Sequence, residues 1–503
     1  MDLNAHINGV LALAPSEEAV EFEGRWHPWG ELSAAKTQVE KLLDEAEIGA
    51  GGRVAILLRN RPEIVPAVLA VVVTGRCLVT LNPSLPDEAL AADLARSEVP
   101  VLIGTGADLA RPGIAEAARE AGALCLRVEA GQSLGVSLVA GPHRTLWKRP
   151  AAEGVAVEML SSGTTGAPKR IPLSVQNFQK SMEDYQSYES DGGGEPKLRS
   201  GVQILNSPFS HIGGLGRLMM AVVSGRKMCL LERLKLEPFV DAISRHKPKV
   251  TSGPPAVLKM ILDADVPAEA LESLRAFRVG TAPLDPDLAD AFFDRYGIAV
   301  LQNYGATEFG GGVAGWSMPD YKTYRVEKRG SVGRISSSFE GRIVDETSFE
   351  VLPAGETGLL ELRSDNINNG AWVRTTDLAV IDSDGFLFIR GRADGAIIRG
   401  GFKVLPEEII RVLDALPAVK EATVIGRKDD RLGQVPVALV VPHDSCSEDG
   451  LRAAVKEKLL PYQVPARFHI VEQLPRTASM KVDQRAVHAL LDRLEAAQPS
   501  VAG

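Results

Sequence analysis

The feature that most constrains this chain is the alternation of elements between residues 53 and 103. Arg53-Val-Ala-Ile-Leu-Leu58 reads as a buried strand, and Pro62 to Val73 as a helix. Leu78-Val-Thr-Leu81 and Val101-Leu-Ile103 follow as strands. Short β-branched strands alternating with helical stretches predict parallel βαβ units, so the fold class is α/β. The apolar run Ile64 to Val73 stops at Thr74-Gly75-Arg76. It is too short to span a bilayer and predicts a buried helix rather than a transmembrane segment.

At 503 residues the chain exceeds one ordinary core, which predicts two or more domains. The sharpest change of pattern falls near residue 390. Asp384-Gly385 is a turn signal, Phe386-Leu-Phe-Ile389 a strand, and Gly391-Arg392-Ala393-Asp394-Gly395 a break. Beyond it come strands at Ala422 to Ile425 and Val437 to Val441, and helices at Pro406 to Leu413 and Asp449 to Leu460. That stretch is long enough for a small α+β domain. Residues 1–390 are therefore expected as a large N-terminal domain, and 396–503 as a small C-terminal one. Asp191 to Gly194 predicts a surface loop, and no repeat of fixed period is visible.

Charge and cysteine usage exclude some functions. A net charge of -9 argues against a nucleic-acid binder, which would carry a basic excess. The four cysteines, Cys77, Cys125, Cys229 and Cys446, are scattered without metal-ligand spacing. Free thiols in a reducing cytosol are the plain expectation, hence a cytoplasmic location. The start, Met1 to Glu18, has no basic region and only a short apolar stretch, so it does not resemble a signal peptide.

The most informative stretch is Ser161-Ser162-Gly163-Thr164-Thr165-Gly166-Ala167-Pro168-Lys169, after a strand-like segment at Val155 to Leu160. Its glycines let backbone approach an anion closely. Its hydroxyls and amides can donate to phosphate oxygens, and Lys169 adds positive charge. The Walker pattern GxxxxGK[ST] is absent, which disfavours a P-loop nucleotidase. By itself the stretch is equally compatible with a Gly/Ser/Thr surface loop.

Ser161 to Lys169 resembles the phosphate-loop signature of the adenylate-forming superfamily, which includes acyl-CoA synthetases, peptide-synthetase adenylation domains and luciferases. Further stretches resemble that superfamily's motifs in the same order, over roughly residues 20 to 490. Pro208-Phe209-Ser210-His211-Ile212-Gly213-Gly214 resembles the aromatic/His motif beside the acyl pocket, with His211 at the carboxylate site. Gly280-Thr281-Ala282-Pro283-Leu284 resembles the segment that packs against adenine. In Asn303-Tyr304-Gly305-Ala306-Thr307-Glu308 the resemblance implies that Tyr304 stacks on adenine, Thr307 contacts the α-phosphate and Glu308 binds Mg²⁺. A carboxylate repels a polyphosphate directly but can hold a hard cation that bridges the phosphates.

The resemblance continues into the second half. Thr375-Thr376-Asp377 is similar to a Thr-Gly-Asp motif whose Asp accepts hydrogen bonds from the ribose hydroxyls. Thr376 departs from the usual Gly, which would alter the backbone if a positive φ were needed there. Arg392 matches the Arg that contacts ribose or phosphate, and Asp394 matches the hinge position, so the hinge is placed at 391–395 and the small domain is expected to be mobile. Gly400-Gly401-Phe402-Lys403 resembles the loop lining the thiol tunnel. Pro475 to Asp483 resembles the C-terminal motif with the catalytic lysine, here Lys481, grouped with Thr165, Glu308 and His211 as catalytic. A cation there offsets repulsion between the carboxylate and the α-phosphate. Arg170, where a Gly is common, would add charge near the phosphates or face solvent.

Activity follows from the resemblance. A carboxylate would attack the α-phosphorus of ATP with Mg²⁺ as cofactor, releasing pyrophosphate. The CoA thiol would then displace AMP, the small domain rotating between the steps. The Phe209 to Gly216 stretch has no acidic residue to hold an α-ammonium, which favours fatty, aryl or other acids lacking one. Gly310-Gly311-Gly312 lies where family members shape the acyl pocket and would leave room for a bulky group. A carrier-protein acceptor and a non-catalytic nucleotide sensor are the alternatives, and either a monomer or a homodimer is compatible.

Overall fold

The computed structural model describes residues 2–140, 154–160, 170–180, 195–365, 367, 370–399, 402–429, 431–443, 445–477 and 480–497. The loop Ser161 to Lys169, the run Asp191 to Gly194, Gly400, Gly401 and the Lys403 side chain lie outside the described residues. Packing divides the chain into two compact units. The first comprises Met1–Gly280, Asp290–Leu301 and Gly305–Val313, and the second Thr281–Ala289, Gln302–Tyr304 and Ala314–Gly503.

In the first unit the strands Arg53–Leu57, Cys77–Leu81 and Val101–Thr105 run parallel and are buried at every position. Strands with both faces covered need no polar alternation, which is why they read as continuous apolar runs. The full order is Leu134–Ala140, Leu124–Ala130, Val101–Thr105, Arg53–Leu57, Cys77–Leu81, Val155–Leu160, Arg170–Ser174. The outer pairings are antiparallel. Alternate side chains serve different cores. Val54 and Ile56 share one with the helix Ile64–Val73, whereas Ala55 and Leu57 share another with Leu90, Leu94 and Ile114.

A second sheet, ordered Arg199–Leu205, Arg226–Leu230, Glu18–Phe22, Arg25–Pro28, contributes Val20, Phe22, Leu205 and Met228 to the core of that helix. Ile64–Val73 is therefore buried all round, as its composition predicts. Each Val or Leu so buried contributes about 1.5–3 kcal/mol. A third group, with Val250–Gly253 parallel to Ala276–Val279, is wedged by edge-to-face packing of Phe239, Phe277 and Phe292.

Charges buried in the first unit are paired. Arg53 donates to Glu158 at 2.9 and 2.6 Å and to the Ser97 carbonyl at 2.6 Å. Arg170 neither faces solvent nor is left unpaired for an anion. Its guanidinium donates to Asp93 at 2.8 Å and to the Thr80 carbonyl at 3.1 Å. Burial pushes the Arg170 pKa down and that of Asp93 up, and each charge offsets the other's penalty.

The second unit contains an antiparallel sheet of Glu340–Val344, Gly358–Arg363, Val373–Ile381 and Leu387–Arg392. Gly385, at φ +79°, closes the last hairpin, with its N–H on the Asp382 carbonyl at 3.0 Å. The ladder slips at Ala379 and Leu378, which oppose Ile389 and Gly391, so Arg390 is the extra residue of a bulge. Bulges re-aim the side chains that follow, here Arg392 opposite Asp377.

Beyond it lies a separate sheet of Phe402–Val404, Ile397–Arg399, Gly433–Pro442 and Val419–Asp429, with Arg467–Ile470 parallel to Gly433–Pro442. Ala438 and Val440 share a core with the helices Pro406–Asp414 and Glu448–Lys456. Val437, Leu439 and Val441 share another with Val487 and Leu491 of the helix Gln484–Ala497. The helix expected to reach Leu460 ends at Lys456, because Pro461 disfavours helical backbone just before it. Among the described residues no helix is long and apolar enough to cross a membrane.

Candidate functional site

In the second unit, the strand Val373–Ile381 carries Asp377 between partners that fix it. The Thr375 hydroxyl donates to the Leu360 carbonyl at 2.9 Å and accepts the Asp377 N–H at 3.1 Å. The Tyr304 phenol donates to Asp377 Oδ2. Burial and then the Asp377 carboxylate raise the Tyr304 pKa, so the phenol keeps its proton and remains a donor. A carboxylate held in this way presents fixed acceptors to a diol. Asn303 precedes Tyr304 on the strand Ala299–Ala306 and is exposed.

Arg392 is clamped. Its Nε and Nη2 donate to Asp394 at 2.8 and 2.7 Å, and Nη2 also donates to Thr376 Oγ1 at 2.7 Å. Asp394, and less strongly Asp377, raise the pKa of Arg392 against its burial. Thr376 is not among the residues with positive φ, so the departure from Gly leaves an ordinary strand backbone. The strain lies elsewhere. Thr281, at φ +73°, holds a left-handed conformation that is costly for a β-branched residue, just before Ala282-Pro283.

Lys481 is presented by a tight loop. The Thr477 N–H bonds to the Lys481 carbonyl at 2.8 Å, Met480 takes φ +63°, and the Asp483 N–H bonds to the Pro475 carbonyl at 2.8 Å. Arg476 ties the loop to Glu421 and to the Met480 carbonyl, the latter at 2.8 Å. Burial, and then the positive charge of Arg392, lower the Lys481 pKa. Two cations that raise each other's energy suit an anion bound beside both. Nearby, Glu407 is part-buried at the start of the helix Pro406–Asp414, and desolvation raises its pKa. A Cβ on Gly391 would lie 2.7 Å from Glu407 Oε2.

Residues 10–372 match the family described as AMP-binding enzyme, and residues 408–481 match the AMP-binding enzyme C-terminal domain. The chain belongs to the AMP-binding enzyme family. It is 29% identical to the 2-succinylbenzoate–CoA ligase of Bacillus velezensis over 494 residues, covering 95% of this chain and 96% of the relative. The Bacillus subtilis enzyme of that name is also 29% identical, covering 93% and 94%. Among solved structures, Bacillus subtilis o-succinylbenzoate CoA synthetase in complex with its acyl-adenylate intermediate superposes with a TM-score of 0.76. It is 26% identical, covering 96% of this chain and 97% of that one. Its complex with ATP and magnesium ion gives 0.77 at 27% identity, covering 96% and 99%.

In this AMP-binding enzyme the first unit carries the His211 and Glu308 segments. His211 caps the helix Ile212–Val223, its carbonyl accepting the Leu215 N–H at 2.9 Å. A Cβ on Gly214 would sit 2.0 Å from the Pro208 carbonyl oxygen, so only glycine fits, while a Cβ on Gly213 would meet none of the described residues. Asn60 holds the segment from behind: its amide accepts the Phe209 N–H at 2.9 Å and donates to the Ser207 carbonyl at 2.8 Å. Nothing in the sequence singles out Asn60, which follows Leu58 and Arg59 after the buried strand. Thr307 and Glu308 form a 3-10 turn. Gly305 is required by the Gly311 carbonyl, 2.0 Å from its would-be Cβ. At Gly310 the Asn177 amide fills the space, at 2.8 Å, while Gly311, at φ +136°, has none of the described residues beside its would-be Cβ. Gly280 directly follows the strand Ala276–Val279.

Glu308 is exposed. A solvated carboxylate fits Mg²⁺, which keeps several waters and takes only one or two protein carboxylates beside phosphates. Among the described residues one other group could hold a metal: Glu21, Cys229 and His246. There Arg245 donates to Glu21 at 2.9 Å and stands 3.1 Å from His246 Nε2. A metal cation would meet that like charge, so the cluster is a structural ion-pair network.

Proposed function

We propose that this AMP-binding enzyme is an ATP-dependent acid–CoA ligase for an aromatic carboxylic acid. The observation that carries the reading is the grouping of Asp377, Arg392 and Lys481: a fixed carboxylate for a ribose beside two cations for a phosphate. The substrate carboxylate attacks the α-phosphorus of ATP, the bond to the bridging oxygen breaks, and pyrophosphate leaves. Lys481 neutralises charge shared by carboxylate and α-phosphate, and Arg392 holds the nucleotide. Glu308 would hold Mg²⁺, whose charge would screen the phosphates. The CoA thiol, losing its proton, then attacks the acyl carbon, and AMP leaves with its electron pair.

His211, Gly213 and Gly214 border the acyl group, while Gly280, Thr281, Ala282, Pro283, Asn303 and Tyr304 surround the adenine. Ser161, Ser162, Gly163, Thr164, Thr165, Gly166 and Lys169 take the phosphates. Gly400, Gly401 and Lys403 serve the thiol, and Asp394 is the hinge between residues 1–390 and 396–503. These assignments rest on the superfamily resemblance. The aromatic acid rests on the relatives, which are named for 2-succinylbenzoate. Buried free thiols at Cys77, Cys125 and Cys229 support a cytoplasmic location.

The test is ATP–pyrophosphate exchange and CoA-dependent AMP release across aliphatic, aryl and polycyclic acids, with 2-succinylbenzoate as the first probe. Turnover with aryl acids that requires CoA is the expected result. Exchange without CoA-dependent AMP release would shift the acceptor to a carrier protein. No exchange with any acid would overturn the reading.

A further inference from the structure

We propose that Thr376 is a positioning residue for the nucleotide: its hydroxyl, together with the Asp394 carboxylate, sets the Arg392 guanidinium before the nucleotide arrives. The proposal rests on the assignment of Arg392 to the nucleotide. It goes further in giving a role to a residue that stands where the superfamily resemblance expects glycine, which could make no such bond.

The geometry is specific. Nε and Nη2 meet Asp394 at 2.8 and 2.7 Å, and Nη2 meets Thr376 Oγ1 at 2.7 Å. The anchors come from different segments. Thr376 lies on Val373–Ile381, and Asp394 follows Leu387–Arg392. The backbone is pinned as well, because the Ala393 N–H donates to the Thr376 carbonyl at 2.7 Å. Threonine is stiff at χ1, so its hydroxyl is a fixed acceptor.

The two anchors do different work. Asp394 orients Arg392 but cancels part of its charge. Thr376 is neutral, so it restrains the guanidinium while leaving its charge for an anionic ligand. Among the described residues Nη1 makes no hydrogen bond, so the clamp leaves that edge for the ligand. An arginine already held in place gives up less rotamer freedom on binding, which appears as tighter nucleotide binding.

The experiment compares Thr376→Val, which keeps the shape and loses the hydroxyl, with Thr376→Ser, which keeps the hydroxyl, and with Arg392→Ala. Exchange kinetics give KM for ATP and kcat, and calorimetry gives Kd for AMP. Loss of one hydrogen bond to a charged group at a partly exposed site predicts about a 5-fold rise in KM and Kd for Thr376→Val, with kcat nearly unchanged. Thr376→Ser should stay within about 2-fold of the unmodified enzyme. Arg392→Ala should exceed both. An impaired Arg392→Ala beside an unaffected Thr376→Val overturns the positioning role alone. Equal impairment of Val and Ser variants also overturns it, because packing rather than the hydroxyl would then matter. An unaffected Arg392→Ala overturns the assignment of Arg392 and the proposal with it.

Discussion

At Lys481 burial and a neighbouring cation act in the same direction, and both favour the neutral amine. An ordinary lysine titrates near 10.4, to a first approximation, and this one titrates below that. The charged form is the one that can lie between two anions, so activity is lost as pH rises through the lowered pKa. The profile of kcat/KM for ATP in the exchange reaction should therefore fall on the alkaline side below the ordinary lysine range. Lys481→Arg should move that fall upward, since guanidinium stays charged. Lys481→Ala should abolish exchange while sparing thioester formation from supplied acyl-adenylate. A profile of Lys481→Arg identical to the unmodified enzyme's would assign the alkaline limb to another group.

Among the elements, the start of the helix Ile212–Val223 is the one whose sequence is least replaceable. Gly214→Ala would place a methyl group 2.0 Å from the Pro208 carbonyl oxygen, which backbone must move to relieve. A loss of about 1–3 kcal/mol is expected, read as a lower denaturant midpoint, while Gly213→Ala, whose methyl group would meet none of the described residues, should be near neutral. Elements of this kind were legible to different degrees. The parallel strands could be read because a strand buried on both faces is apolar at every position, and the Lys481 loop because its residues are contiguous. The partners that complete these elements could not. Arg170 finds Asp93 from 77 residues away and Asn60 reaches Phe209 across 149, and no local spacing encodes such pairs. The same holds for Thr376: the departure from Gly was visible, but its reason lies on Arg392, which only the folded ladder brings near.

For the whole molecule, the two chemical steps should be separable by a change far smaller than a domain. Asp394→Asn loses the charge on Arg392 but keeps backbone freedom, whereas Asp394→Pro fixes φ as well. Relative to Asp394→Asn, Asp394→Pro is expected to retain pyrophosphate exchange and to lose thioester formation by about tenfold or more. Single-turnover assays of each half-reaction would show it, and equal loss in both would sink the two-step rotation. The sheet beyond residue 396 has another consequence. Among the described residues, both of its cores draw on side chains between Ile397 and Leu491. The lysine loop is thus carried by a part that supplies its own apolar interior. Such a part can be inherited as a cassette: its surface can diverge, or be grafted onto another member's acid-recognising half, without repacking what holds the lysine in place.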